Sequence, residues 1–199
     1  MSRTRARLAA TGTAVVLAVT GMSGVAVADT DPASTPSTGS AVVNSSTTFL
    51  KDQALNGIVV IPLPSATPSY DSTTGINTTF QVTGGSADLL NFYGDIELGG
   101  GLLFVNVFTG KSVTFNQLHF NVNAWSLTGV PVGSTDAVKL LDPRGRIQLG
   151  GNSANSTLAS SDLQLDAAGA TYLDSKLKTD FFKGGQSVGS FSLKFTQGS

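Results

Sequence analysis

The sequence predicts a mainly β protein, an antiparallel two-sheet β-sandwich with one short C-terminal helix at about Ala167–Lys178. Three observations carry that expectation. Apolar residues recur at every second position, turn-forming clusters separate these runs, and a single segment shows helical spacing.

The alternation is clearest in three places. Ile76, Thr78, Phe80 and Val82 alternate with Asn77, Thr79 and Gln81, which puts one set inward and the other outward. Gly94, Ile96 and Leu98 oppose Tyr93, Asp95 and Glu97, and Phe191, Leu193 and Phe195 oppose Ser192, Lys194 and Thr196. Residues 58–61 and 102–108 are apolar on both faces, the pattern of strands covered on two sides. Turns are expected at Gly99-Gly100-Gly101, Thr109-Gly110-Lys111-Ser112 and Asp142-Pro143-Arg144-Gly145. Val113 and Phe115 are odd-numbered, whereas Leu118, Phe120 and Val122 are even. One strand accommodates both sets only with an inserted residue, so a bulge is expected near Asn116-Gln117. The helix opens on Asp166 as N-cap, carries Ala170, Leu173 and Leu177 on one side, and ends among Lys176 and Lys178, where the dipole favours cations.

The first 28 residues read as a secretory signal peptide. Arg3, Arg5 and Arg7 form a positive head, an apolar run follows, and Ala26-Val27-Ala28 supplies small residues for cleavage. Their removal leaves 171 of 199 residues, enough for one domain. Residues 29–41 are rich in Pro, Ser and Thr and read as a flexible linker, with the domain at 42–197. No cysteine is present, so neither disulfides nor thiolate-held zinc supports the fold. Without the leader, nine Lys and Arg face thirteen Asp and Glu, a balance that argues against nucleic acid as partner. The expected location is secreted or extracellular, with no stable membrane span after cleavage and an extracellular or cell-envelope component as partner.

No catalytic set assembles from the sequence. His119 is the sole imidazole, no Gly-x-Ser-x-Gly elbow occurs, and the triple glycine opens no helix that would cradle phosphate. Asp95 and Glu97 share a strand face, which gives a weak case for acid–base hydrolysis. No loop concentrates alternating Asp and Asn as a calcium site requires, so no metal site is expected. Tyr93, Trp125 and His119 are the candidate ligand-binding residues, with Phe92 beside Tyr93 extending the aromatic surface.

The order of these elements resembles the HtaA-type domain of secreted and cell-surface haem-uptake proteins of actinobacteria. The likeness runs from Gly57-Ile58-Val59-Val60-Ile61-Pro62 through the Asp71–Gly75 turn and Phe80-Gln81-Val82-Thr83-Gly84-Gly85. It continues at Tyr93-Gly94-Asp95-Ile96 and the Gly-Gly-Leu strand at 100–102. It ends with Leu163-Gln164-Leu165-Asp166-Ala167-Ala168-Gly169-Ala170, followed by Phe182, Gly185 and Val188-Gly189. The resemblance implies a two-sheet sandwich with a C-terminal helix, and haem as ligand. In that family an axial Tyr follows a Ser-Phe pair, and a His stands in a hairpin turn. Here Asp52 falls at the first place and Lys111 at the second, and neither replaces a phenolate on ferric iron. The expected function is therefore a non-catalytic secreted binding or interaction module of HtaA-like fold without cofactor, with haem or metal capture as the alternative.

Overall fold

The computed structural model describes residues 35–72 and 75–199. The signal-peptide reading at 1–28 and the first part of the linker reading, 29–34, lie outside the described residues. The elements are β1 (Thr38–Ser45), α1 (Thr47–Leu55), β2 (Ile58–Pro62), β3 (Ala66–Asp71), β4 (Gly75–Asp88), β5 (Tyr93–Leu98), β6 (Leu102–Asn106), β7 (Lys111–Asn121), β8 (Ser126–Pro131), β9 (Val138–Gly151), β10 (Asn155–Leu165), α2 (Ala167–Leu177) and β11 (Ser187–Thr196). β1 begins inside the segment read as linker. Its small polar residues there pair with β11, and Ser37 Oγ donates to the Gly85 carbonyl at 2.8 Å.

The expected two-sheet sandwich does not form. The sheet runs β7-β5-β4-β1-β11-β10-β9-β8, and β8 pairs back onto β7, which closes an 8-strand antiparallel barrel with β2, β3 and β6 as extra strands. Alternation dictates which side chains point inward but is identical in a sandwich and a barrel. Closure comes instead from bent strands. β7 is bulged between Asn116 and His119, where the parity change places it, with Gln117 in the left-handed region at φ 48°. β4 shifts register between Val82 and Gly84, and Gly85 at φ +96° brings its backbone against the Asp95 carbonyl, where a Cβ would sit 2.3 Å away. The Asp142-Pro143-Arg144-Gly145 sequence is not a turn between strands; it is the bend within β9. β8 pairs with β9 only as far as Leu141, so the missing N–H of Pro143 deprives no neighbour on that side.

The interior holds Phe80, Ile96, Phe115, Leu118, Phe120, Leu127, Leu158, Leu163, Phe191 and Leu193, all buried. One end of the barrel is filled by rings: Phe191 and Phe120 at 5.4 Å between centroids, then Phe120 and Trp125 at 5.8 Å, then Trp125 and Phe92 at 5.4 Å. The opposite end carries both helices. α2 forms within a residue of its expected span; Asp166 Oδ1 accepts from the Ala168 N–H at 2.8 Å, and Lys178 closes it at φ 55°. Its last carbonyl, on Leu177, accepts from Asn106 Nδ2 at 3.1 Å and Thr109 Oγ1 at 2.9 Å, which pins α2 to the β6–β7 turn.

Two further expectations are corrected. A second helix, α1, is present. Ser46 caps it by accepting from the Phe49 N–H at 3.2 Å, but only Phe49 and Gln53 are buried, too few to show as periodicity. β2 is covered on one face alone: Ile58 is buried, while Val59 and Ile61 are 42% and 44% exposed. It pairs only with β6 and forms an edge.

Candidate functional site

The barrel wall divides on the helical side. β5 lies between the second half of β4 and the second half of β7 and ends at Leu98. Beyond it, β3 follows the first half of β4, while β6 and then β2 follow the first half of β7. Gly99-Gly100-Gly101 occupies the fork. Gly100 has φ +92°, and a Cβ there would lie 2.9 Å from the Ala66 nitrogen, so the backbones approach as only glycine allows. Among the described residues no ladder joins β2 to β3.

Behind this fork, beneath α1, lies a cavity of about 350 Å³. α1 supplies Phe49, Leu50, Gln53 and Ala54, β2 supplies Ile58 and Val60, and Ile76, Thr78 and Phe80 come from β4. Leu173 of α2, Phe182 and Val188 close the far side. Aromatic contacts brace it: Phe49 with Phe181 at 6.0 Å and Phe104 with Phe182 at 6.2 Å. The wall is overwhelmingly apolar, and among the described residues it contains no charged residue, His, Tyr or Met. Its one amide is Gln53, 5% exposed, whose Nε2 has no hydrogen-bond partner. Val59, Ile76 and Ala54 line the cavity and are exposed, and they mark its mouth.

The residues alone do not reveal this site, because most of its lining has the composition of ordinary core. The one local signal is Gln53 four residues after Phe49, which puts an amide on the buried side of a helix.

The residues singled out from the sequence lie elsewhere. His119 and Asp95 face outward from β7 and β5, with Nδ1 and Oδ2 2.5 Å apart. Glu97 is cross-strand from His119, and a Cβ on Gly84 would meet its Oε2 at 2.7 Å. Tyr93 occupies the same outward face of β5 as Asp95 and Glu97. Trp125 joins Phe92 at the ring-filled end, where both have positive φ and, with Asn123, Ile147 and Leu149, edge an open hollow. Thus Phe92 and Trp125 come together, whereas His119 is hydrogen-bonded to Asp95 on the outer wall. Asp88 supports the Phe92 turn by accepting from the Leu90 and Asn91 N–H groups, each at 3.0 Å, and from Asn91 Nδ2 at 2.8 Å. The Asn91 side-chain bond is the main reason its carboxyl lies below the ordinary aspartate value, against an opposing effect of burial.

Near α2, Lys139 Nζ lies 3.0 Å from Asp142 Oδ1 and 3.2 Å from Asp166 Oδ2. Partial burial pulls its pKa down, but the hydrogen bonds and charges of the two aspartates outweigh this and raise it above the usual lysine value.

This architecture belongs to a known class of domain fold, that of the HtaA C-terminal domain. The crystal structure of the C-terminal domain of HtaA from Corynebacterium glutamicum is similar, with a TM-score of 0.55 and 14% identity over 82% of this chain and 98% of that chain. At that identity the likeness concerns the fold, and it bears out the distant resemblance carried by the motifs. No family model matches the chain, and no curated protein matches it.

Haem fits poorly with the residues present. Asp52 and Lys111, at the two places where the family resemblance puts iron ligands, are both exposed. The cavity wall offers no side chain that binds haem iron. Among the described residues no group of three or more His, Cys, Asp or Glu is arranged to hold a metal ion, and no helix is long and apolar enough to cross a membrane.

Proposed function

We propose that this protein is a secreted or cell-surface, non-catalytic module that binds a small apolar ligand in the cavity beneath α1. The cavity itself carries the reading. A closed void of that size would cost about 8 kcal/mol at roughly 24 cal/mol per Å³, as much as a domain's whole net stability of about 5–15 kcal/mol. Water entering at the mouth lowers that figure but hydrates an apolar wall. A ligand that displaces this water removes both penalties. The outward position of Asp95, Glu97 and His119 supports a binding role, since the carboxylates and imidazole sit apart from the enclosed space. An extracellular or envelope component fits as the source of the ligand.

The test is binding of Nile red, a neutral apolar fluorophore, to the full chain. Enhanced, saturable emission is expected, and it should be lost in Ala54→Trp, which blocks the mouth, and in Val43→Phe, which fills the interior. Emission unchanged by both substitutions would refute the cavity as the site. Haem capture is the second reading, favoured by the HtaA-like fold. Titration with hemin is expected to give no Soret shift beyond that of a non-binding control; a saturable shift would restore it.

A further inference from the structure

We infer that the ligand is a neutral aliphatic chain bearing one hydrogen-bond acceptor, the chemistry of an alkyl ester, with Gln53 Nε2 as the donor that receives it. This rests on the cavity being a binding site. Two independent observations define the class. The first is the wall: Leu, Ile, Val and Phe side chains dominate, no Trp or Tyr offers a platform for a sugar ring, and few hydroxyls or amides exist to satisfy a peptide or polyol. The second is the orphan: Gln53 is buried on α1 among these groups, and its Nε2 donates to nothing. A buried amide without a partner is destabilising, and a ligand carbonyl within reach relieves it.

Charge completes the specification. No Lys, Arg or His lines the cavity, so a carboxylate brought to Gln53 would lack a counter-ion while losing its hydration. A hydrocarbon without an acceptor would fill the space but leave Nε2 unpaired. The neutral ester satisfies both constraints. The size, about 350 Å³, lies near the lower end of small-molecule pockets and suits one chain rather than a two-chain lipid.

The experiment displaces Nile red from the full chain with three probes: methyl dodecanoate, tetradecane, which matches it in number of chain atoms, and dodecanoate at neutral pH. Methyl dodecanoate should bind about three- to tenfold more tightly than tetradecane, the ratio one neutral hydrogen bond supports. Gln53→Met, nearly isosteric and without the amide, should abolish the preference for ester over alkane, and melt no lower than the wild type. Equal affinity for ester and alkane in the wild type, or tighter binding of dodecanoate, would overturn the inference while leaving the binding site in place. A lower melting temperature in Gln53→Met would also overturn it, because the amide would then have a structural partner. Absence of Nile red binding, by contrast, would remove the cavity function as a whole. Replacing methyl dodecanoate by vesicles containing monododecanoyl glycerol separates the sources: displacement by vesicles as well as by free ester points to a membrane lipid, and displacement by free ester alone to a soluble one.

Discussion

Phe120 is the residue on which barrel closure can be tested most directly. It is fully buried on β7, with Phe191 of β11 at 5.4 Å and Trp125 at 5.8 Å. Phe120→Ala removes a ring that faces the opposite wall and packs on the turn of its own β7–β8 hairpin, so little can collapse into the space. Core Phe→Ala changes cost about 3–5 kcal/mol, and loss of two ring contacts favours the upper half of that range. At roughly 2–4 °C per kcal/mol for a domain of this size, the melting temperature should fall by about 6–20 °C. Urea unfolding followed by far-UV circular dichroism is the suitable assay, since Trp125 is the only tryptophan and its emission responds locally to the lost ring. If the alanine variant does not fold, Phe120→Leu provides the measurement, with a loss of about 1–3 kcal/mol expected from the two ring contacts, and no loss would refute the placement. A loss below about 1.5 kcal/mol in Phe120→Ala with an unchanged urea slope would refute the placement of Phe120 in a closed interior.

Lys139→Met should flatten the alkaline limb of stability. A raised folded-state pKa means that the ion cluster stabilises fully below the unfolded value of 10.5 and is lost as pH rises through the folded value. The wild type should therefore lose more stability than the variant in thermal melts across that range. Asp88→Ala should act in the opposite window. Its depressed pKa gives a contribution present above 3.8 and lost as pH falls through the folded value, so wild type and variant should converge in acid and diverge at neutral pH. Gly100→Ala forces a Cβ toward the Ala66 nitrogen at positive φ and should cost more than about 1 kcal/mol by urea unfolding; a neutral result would contradict the close approach at the fork. Amide protons of α1 should exchange with deuterium well before those of α2, and equal protection would show that α1 is held more firmly than its two buried side chains suggest.

Much of the wall was legible in the residues because a strand writes its inner and outer faces into alternate positions. Phe80 and Val82, Ile96 and Leu98, and Phe191 to Phe195 are buried as their parity requires. The β7 bulge was legible for the same reason, since Phe115 and Leu118 both face inward. The Asp166 cap was local chemistry and formed within one residue. Closure was not legible. It depends on Phe115 meeting Pro131 and Leu127 meeting Leu141, pairings that no property of either strand alone specifies. Pro143 and Gly145 misled because a sharp bend within a strand and a turn between strands ask for the same residues. α1 was hidden by an inward face of two residues, and the cavity by its composition. A wall of Leu, Val and Phe reads the same whether the space before it is filled or empty. Phe92 and Trp125 were recognisable as exposed aromatics, but their meeting across two hairpins was not.

The barrel's two ends obey opposite rules. An eight-strand barrel has an interior that side chains can just fill. At the aromatic end Phe120, Phe191 and Trp125 do so. At the helical end the wall forks after Leu98 and a helix stands over the opening, so the perimeter is larger than eight strands give and the same kind of side chain no longer reaches across. α1 is a weak closure: nine residues, one N-cap bond and no acidic residue in its first turn, a length at which isolated helices are marginal. A purely structural lid would place a leucine at its second buried position. It carries Gln53 instead, whose unpaired amide costs roughly 1–3 kcal/mol while the cavity is empty. Under the proposed binding role, that penalty weakens the helix in the empty state and disappears when an acceptor arrives, so the same residue would couple occupancy of the cavity to the firmness of its cover.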